Sequence, residues 1–283
     1  MSRFALLGHP LGHSLSPVIH QAAYAALGLD HQYELRDCPD RAAVEAAVAQ
    51  LEAGEFAGYN VTVPHKQLVL SLADVADPLA RRSGAANVLA VRETKLHAYN
   101  TDILALLSEL SDVSRGVAVI LGNGGAALGA ATALGELGFQ KVHVSARSHV
   151  GPRETWRRAD SFQHLDVSLL EWGTEAWRGF EDDVSLVLQA TSAGMLGGAP
   201  GESVSDAVPW ERLPANAVAY DVVYNPTETQ FLRDARERGL DARGGLGMLV
   251  GQAAAALELW LDLDAPRAAM FAAARAALGQ RDG

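Results

Sequence analysis

The chain contains a single cysteine, Cys38, in 283 residues, which excludes an internal disulfide and a thiolate-rich metal site, and no metal is expected. Long apolar runs are missing as well. Even GVAVILG stops well before the ~20 residues that a helix needs to cross a bilayer, so no membrane partner is expected. The start, MSRFALLGHP, lacks a basic stretch followed by a long apolar core, and the expected location is cytoplasmic. Positive charge is scarce: 23 Lys and Arg stand against 34 Asp and Glu, a formal net charge of −11. A surface of that sign repels polyphosphate, and no basic run interleaved with aromatics offers a groove for nucleic acid. Repeats of solenoid period and low-complexity tails are absent too.

What is present suits a globular protein. The chain is 49% hydrophobic and 20% charged and is long enough for two domains with separate cores. Its first hundred residues alternate strand-like and helix-like patterns: FALLG, PVIHQAAYAALG, HQYELRD, RAAVEAAVAQLEAG, AGYNVTVPH. Such alternation predicts βαβ units around a mainly parallel sheet. QLVLSLADVADPLARRSG reads as helix with a break at Pro78, NVLAV and KLHAYN as a hairpin, and TDILALLSEL as a further helix. The second half restarts with strand, Gly-rich turn, Ala-rich helix and strand in GVAVILGNGGAALGAATALGELGFQKVHVSARS. Strands follow at VSLVLQAT and NAVAYDVVY, and helices at GLGMLVGQAAAALELWLDL and PRAAMFAAARAALG. The Gly- and Pro-rich stretch 196–209 reads as a surface loop.

Gly122, Gly124 and Ala127 form a G-x-G-x-x-A pattern directly after an apolar strand and at the start of a helix. Gly122 suits the tight turn and Gly124 lets backbone amides approach a pyrophosphate. A small residue at 127 lets the helix pack near the strand with its N-terminal amides facing the anion. About 20 residues further on, a NAD site usually presents Asp or Glu to the adenosine ribose. Here Ser145, Ala146, Arg147 and Ser148 stand instead. An arginine offers charge-assisted donors to a 2′-phosphate that a carboxylate would repel, so the expected cofactor is NADP.

The stretch NVTVPHK, residues 60–66, places polar groups beside strand formers. Strand alternation would set Asn60 and Thr62 on one side and the valines on the other, the polar side forming the wall of a site. Lys66 follows the strand end, where parallel-sheet folds carry ligands, and a partly desolvated ammonium is suited to proton transfer. His65 reads as structural. Ser14 and Ser16 can point the same way from an extended turn. Because Pro17 suits the first position of a helix, Ser16 is equally an N-cap candidate. Asp102 stands at a strand-to-helix boundary, where capping is its ordinary use. Met248 and Gln252, four apart, share a helix face.

The order of HSLSP at 13–17, NVTVPHK at 60–66, SGAANV at 83–88, NTD at 100–102, GNGGAA at 122–127, ATSAGM at 190–195 and GLGMLVGQAA at 245–254 resembles shikimate dehydrogenases over nearly the whole chain. The resemblance implies NADP-linked reduction of 3-dehydroshikimate to shikimate, on the route to aromatic amino acids, by a two-domain α/β enzyme. Its implied parts are an α/β substrate domain, residues 1–103 with 244–283, and a Rossmann-type dinucleotide domain, residues 104–243. Lys66 and Asp102 are the implied catalytic pair. Substrate contacts are implied for Ser14, Ser16, Asn60, Thr62, Lys66, Asn87, Asp102, Tyr224 and Gln252. Cofactor contacts are implied for Gly122, Asn123, Gly124, Gly125, Ala126, Ala146, Arg147, Ser148, Thr191, Ser192, Gly245 and Met248. The family pattern is departed from at Val88 (commonly Thr), Ile103 (Gly), Ala146-Arg147-Ser148 (Asn-Arg-Thr) and Gly244 (Asp). The rival readings are a quinate/shikimate dehydrogenase that uses NAD, and a non-catalytic relative sensing a dinucleotide or cyclohexene acid. Small molecules are the expected partners of a monomer or homodimer.

Overall fold

A computed structural model of the chain describes residues 1–12, 14–139, 141–147 and 166–279. His13 and Ser148 of the motifs above lie outside the described residues. Two compact units emerge from the packing: Met1–Ala105 with Leu249–Gly283, and Leu106–Met248. The sequence reading set the junctions at 103/104 and 243/244. The contact division falls slightly later in both places, inside helices.

The first unit runs β1 (Arg3–Gly8), α1 (Ser16–Ala26), β2 (Gln32–Asp37), α2 (Arg41–Glu52), β3 (Gly58–Val61), α3 (Lys66–Leu72), β4 (Val75–Ala76), α4 (Pro78–Ser83), β5 (Val88–Arg92), β6 (Lys95–Tyr99) and the start of α5 (Thr101–Glu109). Its sheet has the order β2-β1-β3-β5-β6-β4. β1 pairs parallel with β2 and β3, and β4 with β6, while β5 runs antiparallel to both its neighbours. Local chemistry explains the helix starts. Asp40 accepts from the Ala43 amide at 2.9 Å and caps α2, whose Val44, Ala47, Val48 and Leu51 recur at helical spacing and are buried. Asp77 does the same for α4, which has Pro78 in its first turn and the left-handed Gly84 at its end. The helix expected through 67–84 is thus two helices, parted by the two-residue strand β4.

One face of this sheet packs Ala5, Leu7, Val44, Leu51, Tyr59, Val61 and Leu89 into a core. On the other face Phe4 stacks on Trp260, ring centroids 4.8 Å apart, and the indole N–H donates to the Leu89 carbonyl at 3.2 Å. A Cβ added at Gly58 would lie 2.2 Å from Trp260 Nε1, so glycine there lets the indole lie against the strand.

The second unit runs from the rest of α5 through β7 (Val117–Leu121), α6 (Gly125–Leu137), β8 (Lys141–Ser145), β9 (Asp166–Leu170), β10 (Val184–Gln189), α7 (Glu202–Ser205), β11 (Val218–Asp221), α8 (Gln230–Glu237) and β12 (Asp241–Gly244) to the first residues of α9 (Leu246–Leu261). The remainder of α9 and α10 (Arg267–Gly279) belong to the first unit. All pairings in the second sheet are parallel, in the order β12-β11-β10-β7-β8-β9. That is the doubly wound order, and it reverses between β7 and β10, which is where such folds hold ligands. Burial on both faces accounts for the apolar strand VAVIL and the largely apolar VSLVL, whose Ser185 hydroxyl donates to the Val117 carbonyl at 3.3 Å. One turn of helix, α7, interrupts the stretch read as loop.

Candidate active site

In the first unit the chain turns sharply after β3, with the His65 amide donating to the Thr62 carbonyl at 3.0 Å. His65 itself is buried and contacts the Cys38 carbonyl through Nε2 at 2.6 Å, which anchors the turn to the end of β2. Lys66 is therefore the first residue of α3, and its position is set by a structural histidine one residue before it. The strand is shorter than the sequence suggested. Alternation fails after Val61, and Val63 is 62% exposed instead of packed with Val61, because the backbone has left the sheet by then.

Lys66 Nζ donates to Asp102 Oδ2 at 2.5 Å, with both side chains partly accessible. Asp102 is free for this because it is not the helix cap. Asn100 Oδ1 accepts from the Ile103 amide at 3.3 Å, and the Asn100 amide donates to Ser83 Oγ and the Ala85 carbonyl. Asn87, buried, accepts through Oδ1 from the Thr101 amide at 2.7 Å, and its Nδ2 donates to the Thr101 hydroxyl at 2.9 Å and lies 3.5 Å from Gln252 Oε1. Gln252 in turn donates to the Leu249 carbonyl at 2.8 Å. Asn60 accepts from the Tyr33 hydroxyl at 2.7 Å. Ser14 Oγ lies 3.2 Å from both the Ser16 amide and Ser16 Oγ. Ser16 is not the N-cap of α1. The cap position is Leu15, and Ser16 already has helical geometry.

The first unit thus gathers an ammonium, a carboxylate, two serine hydroxyls and three carboxamides. Tyr33 is the member that sequence reasoning missed, since a tyrosine in a short strand signals nothing beyond packing. The departures at Val88 and Ile103 are fully buried, so neither side chain offers surface to a ligand.

In the second unit, Gly122 has φ +117°, and a Cβ there would meet Thr191 Cγ2 at 2.9 Å, so only glycine fits the turn beside the strand that follows the switch. At Gly124 and Gly125 an added Cβ would meet no protein atom within 4 Å. Gly124, Gly125 and Ala126 lie exposed at the N-terminus of α6 while Ala127 is buried behind them. The turn and the first helix amides, with Asn123 between the glycines, form an open cradle into which an anion fits. Ala146 is buried at the end of β8 and Arg147 follows it, exposed. Thr191 is partly buried and Ser192 exposed after β10. Gly245 is buried, and a Cβ added there would lie 2.2 Å from the Val222 carbonyl oxygen, while Met248 is partly accessible rather than core.

Tyr224 also belongs to this unit, in the loop after β11. That loop is held by Asp221, which accepts from the Val223 amide at 2.9 Å and from the Thr229 hydroxyl at 2.6 Å. Burial pushes the Asp221 carboxyl up to about 6, against the opposing pull of those two donors. A carboxyl raised above its ordinary value of 3.8 binds its proton more tightly when folded, so the burial penalty is present above pH 6 and fades as pH falls toward 4. Asp221→Asn is therefore expected to gain stability relative to wild type by up to about 3 kcal/mol between pH 4 and pH 7. Urea unfolding of both proteins at several pH values checks this, and a pH-independent difference would contradict it.

A doubly wound sheet with an open glycine cradle at its switch point, in a chain whose other unit pairs an ammonium with a carboxylate, is the architecture of two-domain dinucleotide-linked oxidoreductases. Comparison with known proteins narrows this. Residues 6–89 match the shikimate dehydrogenase substrate binding domain and residues 245–275 the shikimate 5′-dehydrogenase C-terminal domain. The chain is 38% identical to the NADP(+) shikimate dehydrogenase of Symbiobacterium thermophilum, covering 96% of this chain and 93% of that one. The crystal structure of shikimate 5-dehydrogenase from Thermus thermophilus in complex with NADP(H) and shikimate is similar, with a TM-score of 0.82 and 36% identity over 98% of this chain and 100% of that one. The ligand-free 5-ketofructose reductase of Gluconobacter sp. strain CHM43 shares the fold at a TM-score of 0.85 and 28% identity, covering 98% of each chain. The chain belongs to the shikimate dehydrogenase family.

Proposed function

We propose that this chain catalyses the reversible, NADPH-dependent reduction of 3-dehydroshikimate to shikimate, supplying aromatic amino acid biosynthesis. The observation that carries the reading is the 2.5 Å pair of Lys66 and Asp102, set in a unit with Ser14, Ser16, Asn60, Thr62, Asn87 and Gln252. NADP, when bound, supplies or accepts the hydride at the carbon bearing the reacting oxygen. The chain's own residues do the rest. Lys66 and Asp102 hold and move the proton at that oxygen, the ammonium as donor and the carboxylate as its partner. Ser14 and Ser16 offer neutral hydroxyl donors to the carboxylate of the ring acid, and Asn60, Thr62, Asn87 and Gln252 serve its remaining hydroxyls. Tyr224 is the one substrate contact assigned to the second unit.

The second unit fits the dinucleotide. The open cradle from Gly122 to Ala126 would take the pyrophosphate, Ala146 and Arg147 the adenosine 2′-phosphate, and Thr191, Ser192, Gly245 and Met248 the nicotinamide half. Among the described residues no cluster of His, Cys, Asp or Glu is arranged for a metal, and no helix is long and apolar enough to cross a membrane. On this reading the enzyme works in the cytoplasm, as a monomer or homodimer, with small molecules as its partners.

The deciding experiment crosses shikimate and quinate with NADP and NAD and follows the reduced nicotinamide by absorbance. Turnover should be fastest with shikimate and NADP. Quinate as the better substrate would move the assignment to the quinate/shikimate branch of the family, and binding without turnover would make the chain a sensing relative.

A further inference from the structure

The hydrogen bonds behind Asn60 run in one direction. Tyr33, 4% exposed, donates its hydroxyl proton to Asn60 Oδ1 at 2.7 Å. The other end of the carboxamide, Nδ2, faces the Asn87 backbone carbonyl at 3.5 Å, a group that only accepts. The Ser16 hydroxyl is the hydrogen-bonding neighbour of the same phenol oxygen, and Ser14 Oγ donates to Ser16 Oγ at 3.2 Å. The phenol ring is fixed from behind by His20, stacked on it at 4.1 Å with the planes 5° apart. Both rings are buried and stay neutral: burial holds the His20 imidazole down to about 3 and raises the Tyr33 phenol well above its ordinary range.

We infer that Tyr33 is a positioning residue that sets which end of the Asn60 carboxamide meets the substrate, and that it thereby makes Asn60 a hydrogen-bond donor to a ring hydroxyl. This rests on the assignment of Asn60 to substrate binding given above. An asparagine side chain is almost symmetric in shape, and nothing in its own sterics distinguishes its oxygen from its nitrogen. A buried phenol with its single proton committed to Oδ1 supplies the distinction. A rotated Asn60 would set Nδ2 on a phenol with its proton turned away, and Oδ1 against the Asn87 carbonyl, two acceptors facing each other. Asn87 is held differently, its Oδ1 engaged by the Thr101 amide and its Nδ2 donating to the Thr101 hydroxyl at 2.9 Å, with Gln252 Oε1 3.5 Å away. A substrate hydroxyl at Asn60 therefore accepts from the carboxamide, and its own proton is left for an acceptor such as the Asp102 carboxylate. Binding of a carboxylate by Ser14 and Ser16 leaves this arrangement standing, because the Tyr33 proton is directed away from the serines.

The test is a double-mutant cycle of Tyr33→Phe and Asn60→Ala, with phenylalanine preserving the ring stacked on His20. Tyr33→Phe should raise KM for shikimate about 3- to 10-fold, the worth of one hydrogen bond, with kcat little changed. In the Asn60→Ala background it should add nothing, since it acts through Asn60. Unfolding midpoints are measured for all four proteins. Additive effects on KM, or no effect of Tyr33→Phe in the wild-type background, would overturn the inference. A second readout needs no turnover. The Asn60 side-chain amide protons, seen by 15N-edited NMR of the whole chain, should shift and broaden in Tyr33→Phe, and an unchanged signal would equally overturn it. A wild-type protein inactive on shikimate but showing the NMR response would sink the functional reading and leave the positioning role in place.

Discussion

Lys66→Met should lower kcat for shikimate oxidation by ~10²–10⁴-fold, the usual worth of a general acid or base, while KM changes little. The ammonium lies 2.5 Å from Asp102, and both groups are partly accessible, so a substrate hydroxyl can reach either. If Lys66 carries the proton as the hydride moves, its interaction strengthens chiefly in the transition state, and removing it costs kcat. Ser14→Ala should do the opposite. The carboxylate it is proposed to hold carries the same charge before and after reaction, so its loss falls on KM. Both variants need checks of folding and of NADP binding. Ser14 Oγ also accepts from the Ser16 amide and so supports the first turn of α1. A Lys66→Met enzyme with near-normal kcat and weak shikimate binding would make the lysine a clamp, and the proton would then pass through Asp102 or a water.

The parts of this site differ in how far sequence alone reaches them, and the reason is physical. The glycine cradle was legible because a βα turn at a switch point demands local residue types, and Gly122 has the positive φ and the crowding that exclude other residues. The doubly wound unit was legible for the same reason: strands buried on both faces, such as VAVIL, read as predominantly apolar runs. By contrast, Lys66 and Asp102 are 36 residues apart, and no local periodicity connects them. Their pairing came from resemblance to a family, and only the fold shows how a buried histidine and a capping asparagine bring them together. The edge strands β12 and β4 were missed, although the edge strand β2 was read. β12, DARG, pairs only with β11 and alternates no clear apolar face. β4 is two residues long and sits in a stretch whose composition favours helix, where pairing with β6 overrides propensity. Val63 does not pack beside Val61 as expected, because alternation holds only while the backbone stays in the sheet. Tyr33 was invisible for a different reason. Its role depends on the direction of one hydroxyl proton toward a side chain 27 residues away.

Arg147→Ala should weaken NADP about 10- to 100-fold and leave NAD kinetics nearly unchanged. The argument starts from an omission: no acidic residue stands at the end of β8, where Ser145 and Ala146 are buried and Arg147 is exposed. An acidic residue there would accept from the ribose hydroxyls of NAD and repel a 2′-phosphate. The guanidinium instead offers planar donors that suit a phosphate, and the loss of one charge-assisted contact amounts to roughly 1.5–3 kcal/mol. Because the site is exposed, the contribution should shrink as salt rises, which a hydrogen bond to a neutral hydroxyl would not do. Measuring KM for both dinucleotides in wild type and Arg147→Ala, at low and at high ionic strength, separates the possibilities. Equal weakening of NADP and NAD would place Arg147 near the shared part of the dinucleotide. No change in either would leave discrimination to residues beyond Arg147, with the remaining preference for NADP due only to the missing acid.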